Sequence, residues 1–256
     1  MIEISDLRKE FALSSQQRKE LNTKDSIATA VDDVSFKCKP GRVFSLLGPN
    51  GAGKTTTLRM ISTIFKPTSG SIKIAGIDAI KNPKEARKKI GFLTGSTGLY
   101  SRLTPNEIIK YFADLYGVSN DKFEERKEHL YTLLDMHDFQ GKRIGKLSTG
   151  MKQKVSICRT MIHDPEVVVF DEPTSGLDVI TAENIIKLIR GCKEQGKTVL
   201  FSSHIMSEVD LLCDDMAIIH KGKLLFEGTM DDFKNQMQAE NLTAEFIRFV
   251  NATKNQ

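Results

Sequence analysis

No apolar run in this sequence approaches the roughly 18 residues that a membrane-spanning helix requires, so any role in a membrane calls for another polypeptide. The amino terminus, Met1-Ile2-Glu3-Ile4-Ser5-Asp6, lacks signal-peptide architecture, and the chain reads as cytosolic. Cysteine is sparse. Cys38, Cys158, Cys192 and Cys213 are scattered with no C-x-x-C pair, which argues against a disulfide framework or a cysteine zinc site. Each sits in or beside an apolar run and reads as a small core residue in a reducing compartment. Neither sign of charge dominates: the net charge of +4 argues against a dedicated nucleic-acid grip, although a basic face could still meet a partner. Heptads for a coiled coil are missing as well. What remains, 256 residues with 39% hydrophobic and 27% charged, is an ordinary soluble globule with room for one α/β domain and an insert.

Glycine is concentrated where it counts. Gly48-Pro49-Asn50-Gly51-Ala52-Gly53-Lys54-Thr55-Thr56 reads G-x-x-x-x-G-K-[ST]. At ordinary glycine usage a chance match arises on the order of 1% of the time in a chain this long. The apolar run Val43–Leu47 before it reads as a buried strand, and Thr57 to Phe65 after it has helical periodicity. Such a loop turns its N–H groups inward around a phosphate, with a helix dipole behind. Lys54 is then expected to reach the β- and γ-phosphates, and the Thr55 hydroxyl to ligate Mg²⁺. Nucleotide binding follows; its use must come from elsewhere in the chain.

In order, Ile2 to Leu7 reads as a half-exposed strand, the polar, aperiodic residues 13–26 as a mobile hairpin loop, and Ile27 to Lys37 as a second strand. Ser71 to Ile74 alternates as an edge strand, and Ile90 to Leu93 is short and buried. From about 96 to 163 only helical patterns appear, which predicts an inserted helical unit. Strands resume at Glu166–Phe170 and Lys197–Ser202, separated by a helix with Ala182, Ile185, Ile186 and Ile189 on one face. A terminal hairpin turns at Lys221-Gly222, and 230–250 reads as one or two small helices. Strands alternating with helices predict a mostly parallel sheet covered on both faces.

Four apolar residues deliver Asp171-Glu172 to a strand end. There Asp171 is placed to hold Mg²⁺ through a water shared with Thr55, and Glu172 to polarise a water attacking the γ-phosphate. The plainer alternative is an acidic helix cap after a strand. Leu147-Ser148-Thr149-Gly150-Met151-Lys152-Gln153 precedes an amphipathic helix and offers a second anion site, but on local grounds alone a simple Ser148 cap with nothing bound is the stronger reading.

The order of these features decides between them: phosphate loop, helical insert, Leu-Ser-x-Gly, apolar-Asp-Glu, Ser175-Gly176-Leu177-Asp178, then His204 at a strand end. The sequence resembles the ATP-binding subunit of ABC transporters up to about Gly228, and more loosely beyond. The resemblance implies a P-loop NTPase with a mostly parallel core sheet, an N-terminal antiparallel β-subdomain and an inserted helical subdomain. It divides the chain into an ATP-binding core at 1–95 and 164–228, a helical unit with the signature turn at 96–163, and a tail at 229–256. It also implies head-to-tail pairing of two such chains, with Ser148 and Gly150 of one closing over ATP held by the other. Asp178 would then belong to the loop crossing the interface, His204 would contact the γ-phosphate, and Phe11 would stack on adenine; an ordinary core Phe is the alternative at position 11. A separate transmembrane permease is the implied partner, approached near residues 95–104, with the chain held at the inner face of the membrane.

Two departures stand out. Gly95 occupies the place of the family's usual loop glutamine, where Thr94, Ser96 or a water would have to substitute. In the signature turn, Thr149 replaces the first glycine and Met151 the glutamine. Leu-Thr-Gly-x-Thr-Gly-Leu-Tyr together with Leu-Ser-Thr-Gly-Met-Lys-Gln-Lys resembles the ATPase of bacterial sodium-extruding exporters (NatA-type). The alternative is a soluble or regulatory ABC ATPase not coupled to transport. DNA-repair and translation members of the family carry long coiled coils or two such domains in one chain, and this sequence carries neither.

Overall fold

Alternation along four buried strands places the core. The computed structural model describes residues 1–20, 22–94 and 98–252. Among the described residues ten strands form two sheets. The larger runs in the order β10-β9-β3-β8-β7-β6, built from β3 (Val43–Leu47), β6 (Ile90–Leu93), β7 (Val167–Asp171), β8 (Thr198–Ser203), β9 (Asp215–His220) and β10 (Lys223–Thr229). All its pairings are parallel except the β9–β10 hairpin. Successive strand residues face opposite sides. Val43, Leu47, Val168, Phe170, Val199, Phe201, Met216 and Ile218 therefore enter one apolar cluster. Phe44, Leu46, Val167, Val169, Leu200, Ala217 and Ile219 enter the other. Both faces are apolar, which is why β3, β7 and β8 read as continuous hydrophobic runs.

The first face is covered by helices: α4 (Pro105–Leu115), α5 (Asn120–Leu134), α6 (Thr149–Met161), α7 (Val179–Glu194) and α8 (Met206–Leu212) all contribute to its cluster. The second face is covered by α2 (Lys54–Ile61), α3 (Pro83–Lys88) and an antiparallel sheet in the order β2-β1-β4-β5. Its strands are β1 (Ile2–Ala12), β2 (Ile27–Cys38), β4 (Ser69–Ile74) and β5 (Ile77–Asp78). The predicted fold class, with its N-terminal antiparallel sheet, is the one observed.

Three local readings change. Residues 13–26 are not a plain loop: α1 (Ser15–Glu20) forms at the hairpin tip. Ser14 N donates to Gln17 Oε1 at 2.9 Å and Gln17 N to Ser14 Oγ at 3.2 Å, a reciprocal cap that starts a helix without apolar periodicity. β1 runs on through Phe11, and β4 is interior to its sheet because the two residues of β5 pair outside it. The tail folds as α9 (Met230–Asn235) and α10 (Leu242–Ala252). Phe226, Phe233 and Phe249 pack ring against ring beneath it. Glu245, buried in α10, accepts from Arg248 and from the backbone N–H groups of Gln238 and Ala239. These donors, the guanidinium foremost, hold its carboxyl down at about 2.

Just past α6, the His163 ring stacks on Tyr116 with centroids 3.8 Å apart. Its Nε2 lies 3.2 Å from the Ile90 carbonyl, and its buried Nδ1 has no partner. Burial is the main reason its pKa falls to about 4, with Arg126 and Lys197 adding to the fall and Asp164 and the Ile90 carbonyl opposing it. The folded pKa lies below the ordinary histidine value of about 6.5, so the unfolded chain binds the proton more readily. This contribution to stability is complete above pH 6.5 and is lost as pH falls toward 4. His163→Phe, which keeps the stack, should therefore lose less stability between pH 7 and pH 4.5 than the parent. Urea unfolding midpoints at the two pH values check this; an unchanged difference would contradict it.

Candidate functional site

The strand ends of the larger sheet converge on the phosphate loop. β8 lies between β3 and β7, with Leu47 level with Ser203 and Asp171 level with Ser202. The loop leaving β3 and the acidic pair leaving β7 thus emerge at the same carboxyl edge, where ligands bind in open parallel sheets. A cavity over the loop is lined by Pro49, Asn50, Gly51, Ala52, Gly53, Lys54, Thr55 and Thr56, together with Ala30 and Glu172. Gly53 has φ +109°, and a Cβ there would lie 2.6 Å from the Ala30 carbonyl; on Gly48 it would meet the Ile219 carbonyl at 2.3 Å. Glycine is required at both positions because strand backbone presses on the loop from below. Gly222 in the β9–β10 turn donates its N–H to Ala52 O at 2.9 Å and completes that floor.

Lys54, only 4% exposed, donates to Gly48 O at 2.7 Å and Pro49 O at 3.2 Å, and its Nζ lies 3.3 Å from Glu172 Oε1. Thr55 Oγ1 donates to Asp171 Oδ1 at 3.1 Å. Ser202, fully buried, donates to that same oxygen at 2.8 Å and accepts from Glu172 N at 3.0 Å. Glu172 takes a left-handed backbone conformation, φ +49°, which costs a non-glycine residue about 1–3 kcal/mol. The Ser202 bond and the Ser175 N–H on its own carbonyl (3.2 Å) hold it there. The half-exposed Glu172 carboxylate comes within 3.4 Å of His204 Nδ1. Lys54, Thr55, Asp171, Glu172 and His204 therefore form one cluster. Thr55 and Asp171 offer the hydroxyl and carboxylate oxygens that suit a hard divalent cation. No group of three acidic, histidine or cysteine side chains supplements them among the described residues, so nucleotide and water would complete a shell there, the habit of Mg²⁺.

Ser148, Gly150 and Asp178 lie elsewhere and do not line the loop's cavity. Ser148 is exposed and caps α6, accepting from Met151 N at 3.2 Å. Asp178 caps α7 by accepting from Thr181 N and Thr181 Oγ1, both at 2.9 Å, and these bonds lower its pKa. A Cβ on Gly150 would lie 3.5 Å from Asp178 Oδ2, so signature turn and Asp178 loop are neighbours within one chain. Gln153 Nε2 on α6 donates to Pro173 O at 3.2 Å, which links the helix behind Ser148 to the loop after Glu172. Phe11 is 36% exposed and packs edge-on against Phe65, with the Lys9 ammonium 5.0 Å from its ring centre. Gly95 lies outside the described residues.

Sequence reasoning missed Ser202, Ala30 and Gly222. A hydroxyl at a strand end, an alanine carbonyl and a hairpin turn carry no motif of their own. A larger cleft of about 430 Å³ between α5 and α7 shares no residue with the phosphate loop, and its Arg126 and Lys197 are already paired with Asp164.

Comparison with known proteins agrees with this geometry. A family model described as "ABC transporter" matches residues 31–175. The chain is 42% identical to the "ABC transporter ATP-binding protein NatA" of Bacillus subtilis (strain 168), over 88% of this chain and 92% of that one. It is 39% identical to the "Bacitracin transport ATP-binding protein BcrA" of Bacillus licheniformis, over 81% of this chain and 67% of that one. A solved ATP-binding subunit of an ABC transporter superposes with a TM-score of 0.85 at 27% identity, covering 97% of this chain and 99% of the other. A dimeric ATP-binding cassette in a post-hydrolysis state with ADP and Pi superposes with a TM-score of 0.78 at 25% identity, covering 90% and 99%.

Ser202→Ala would leave the Glu172 N–H without the hydroxyl it donates to and strip one donor from Asp171. Losing such partners in a buried site should destabilise the protein by about 1–3 kcal/mol. Urea unfolding measures the loss directly; a variant as stable as the parent would mean that the bridge carries no weight.

Proposed function

This chain belongs to the ABC transporter family as an ATP-binding subunit, an ATPase coupled to transport, and we propose that it works as a two-chain motor on a separate permease. The observation that carries the reading is the single cluster of Lys54, Thr55, Asp171, Glu172 and His204 over a glycine-built loop. In this reading the loop N–H groups and Lys54 bind the phosphates, and Lys54 exchanges its carbonyl partners for phosphate oxygen when ATP arrives. Thr55 and Asp171 hold Mg²⁺, which supplies charge neutralisation of the phosphates. Glu172 accepts a proton from the attacking water, and His204 steadies the γ-phosphate. Phe11 is the adenine platform, with the Phe65 contact fixing its ring. Ser148 and Gly150 serve the ATP of a second chain, with Asp178 beside them.

The division into core, helical unit and tail belongs to the same proposal. So does the docking of the permease near residues 95–104 and the helical unit. A groove between the sheet core and the helical unit is lined by Arg87, Phe92, Phe112, Tyr116, Arg159 and His163, with Tyr111 and Leu115 exposed on α4. No helix among the described residues is long and apolar enough to cross a membrane; a cytoplasmic chain held at the membrane by its permease fits that observation. Sodium ion is the proposed cargo, on the resemblance carried by residues 93–100 and 147–154. ATP-driven ²²Na⁺ movement in vesicles holding this chain and its permease tests the cargo alone; movement of another solute instead removes sodium and leaves the motor standing.

Glu172→Gln keeps the shape of the side chain and removes its base character. Turnover of MgATP should fall 10²-fold or more while ATP binding persists. Chelating the metal should stop the parent enzyme too. Steady-state phosphate release and equilibrium ATP binding measure both effects, and near-parental turnover by the variant would overturn the assignment.

A further inference from the structure

Between the two catalytic candidates lies a carboxylate that no motif includes. Glu208, half-buried in α8, accepts from Thr174 Oγ1 on Oε1 at 2.6 Å and from Ser203 Oγ on Oε2 at 3.0 Å. Thr174 is two residues beyond Glu172, and Ser203 is one residue before His204. Both hydroxyl residues are buried, at 8% and 3% exposure, so neither bond has a ready replacement in water. Each is also locked on its own side. Ser203 Oγ accepts from Ile205 N at 3.0 Å, closing the His204 loop around it. Thr174 O accepts from Leu177 N at 3.2 Å, and the neighbouring Pro173 O is held by Gln153 of α6.

We infer that Glu208 is a positioning residue: its two oxygens tie the loop after Glu172 to the loop carrying His204 and set the approach of the two side chains. A carboxylate suits this work because it accepts on both oxygens in one plane, and charged acceptors make the shorter, stronger bonds. The 3.4 Å separation of Glu172 Oε1 and His204 Nδ1 is the distance it would maintain. Through Gln153, the same bracket connects the helix behind Ser148 to the His204 loop. The inference rests on the proposed roles of Glu172 and His204 at the γ-phosphate.

Steady-state kinetics of the full chain with MgATP test it, using Glu208→Ala, Thr174→Val, His204→Ala and the two double variants with His204→Ala. Glu208→Ala should lower kcat tenfold or more with KM for ATP within twofold of the parent, and Thr174→Val, which removes one bond and keeps the side-chain shape, should move kcat in the same direction. Glu208→Gln, retaining one acceptor oxygen opposite rotatable hydroxyls, should recover part of the loss. A residue acting through His204 has nothing left to do without it, so each double variant should turn over within twofold of His204→Ala alone. Multiplicative effects in the double variants, or parental kcat in Glu208→Ala and Thr174→Val, would overturn the inference while His204→Ala remains slow. Parental kcat in His204→Ala would overturn the catalytic reading and this inference with it. Should Glu208→Ala fail to fold, Thr174→Val and its double variant decide alone.

Discussion

Everything at the nucleotide edge depends on the parallel register of β3, β8 and β7. Leu47 is level with Ser203, and Ser202 with Asp171, so the phosphate loop, both serines and the acidic pair reach the edge together. Strand side chains alternate, so a one-residue slip of β7 would turn Asp171 away from Thr55 and carry Phe170 out of its cluster. The core forbids the slip. All five residues of β7 are buried, and a large apolar side chain is worth about 1.5–3 kcal/mol when fully buried. Apolar packing thereby sets the Thr55–Asp171 distance, and the chemistry inherits it. The strained backbone at Glu172 is held by a Ser202 hydroxyl that the same register puts in place.

The rest of the molecule distributes the remaining parts over the helical face. α6 carries Ser148 at its exposed start and Gln153 one turn further, where it reaches the loop after Glu172. Asp178 caps α7 next to Gly150, so the two features assigned to a partner's nucleotide are rigidly related inside one chain. One protomer thus holds a phosphate cradle at the sheet edge and a separate, outward-facing cap that its own cradle does not use. In the proposed two-fold pair each cap would meet the other cradle, and two sites would be completed at once.

Much of this was legible in the residues. The glycine pattern and the strand-borne Asp171-Glu172 mark their own positions, because a turn around a phosphate tolerates few backbone shapes; His204 stands out only through the family resemblance. The strands were legible because both sheet faces are apolar. Ser14 and Gln17 form a capping box that marks the short α1, but its lack of apolar periodicity hid the helix. The interior position of β4 depends on two residues of β5, too short to pattern. Ser202, Ala30, Gly222 and Glu208 act through backbone proximity or through hydroxyls from distant segments. Such contacts exist only once the chain has folded, and no local spacing announces them.

The half-site arrangement is the central claim, and sedimentation velocity tests it most directly. Glu172→Gln should sediment as a monomer in ADP and as a dimer in MgATP, because only ATP presents the γ-phosphate that Ser148 and Gly150 would hold. Adding Ser148→Arg should return it to a monomer in MgATP while ATP binding to its own loop stays nearly intact. A Glu172→Gln chain that stays monomeric at saturating MgATP, or dimerises equally in ADP and regardless of Ser148→Arg, would contradict the account.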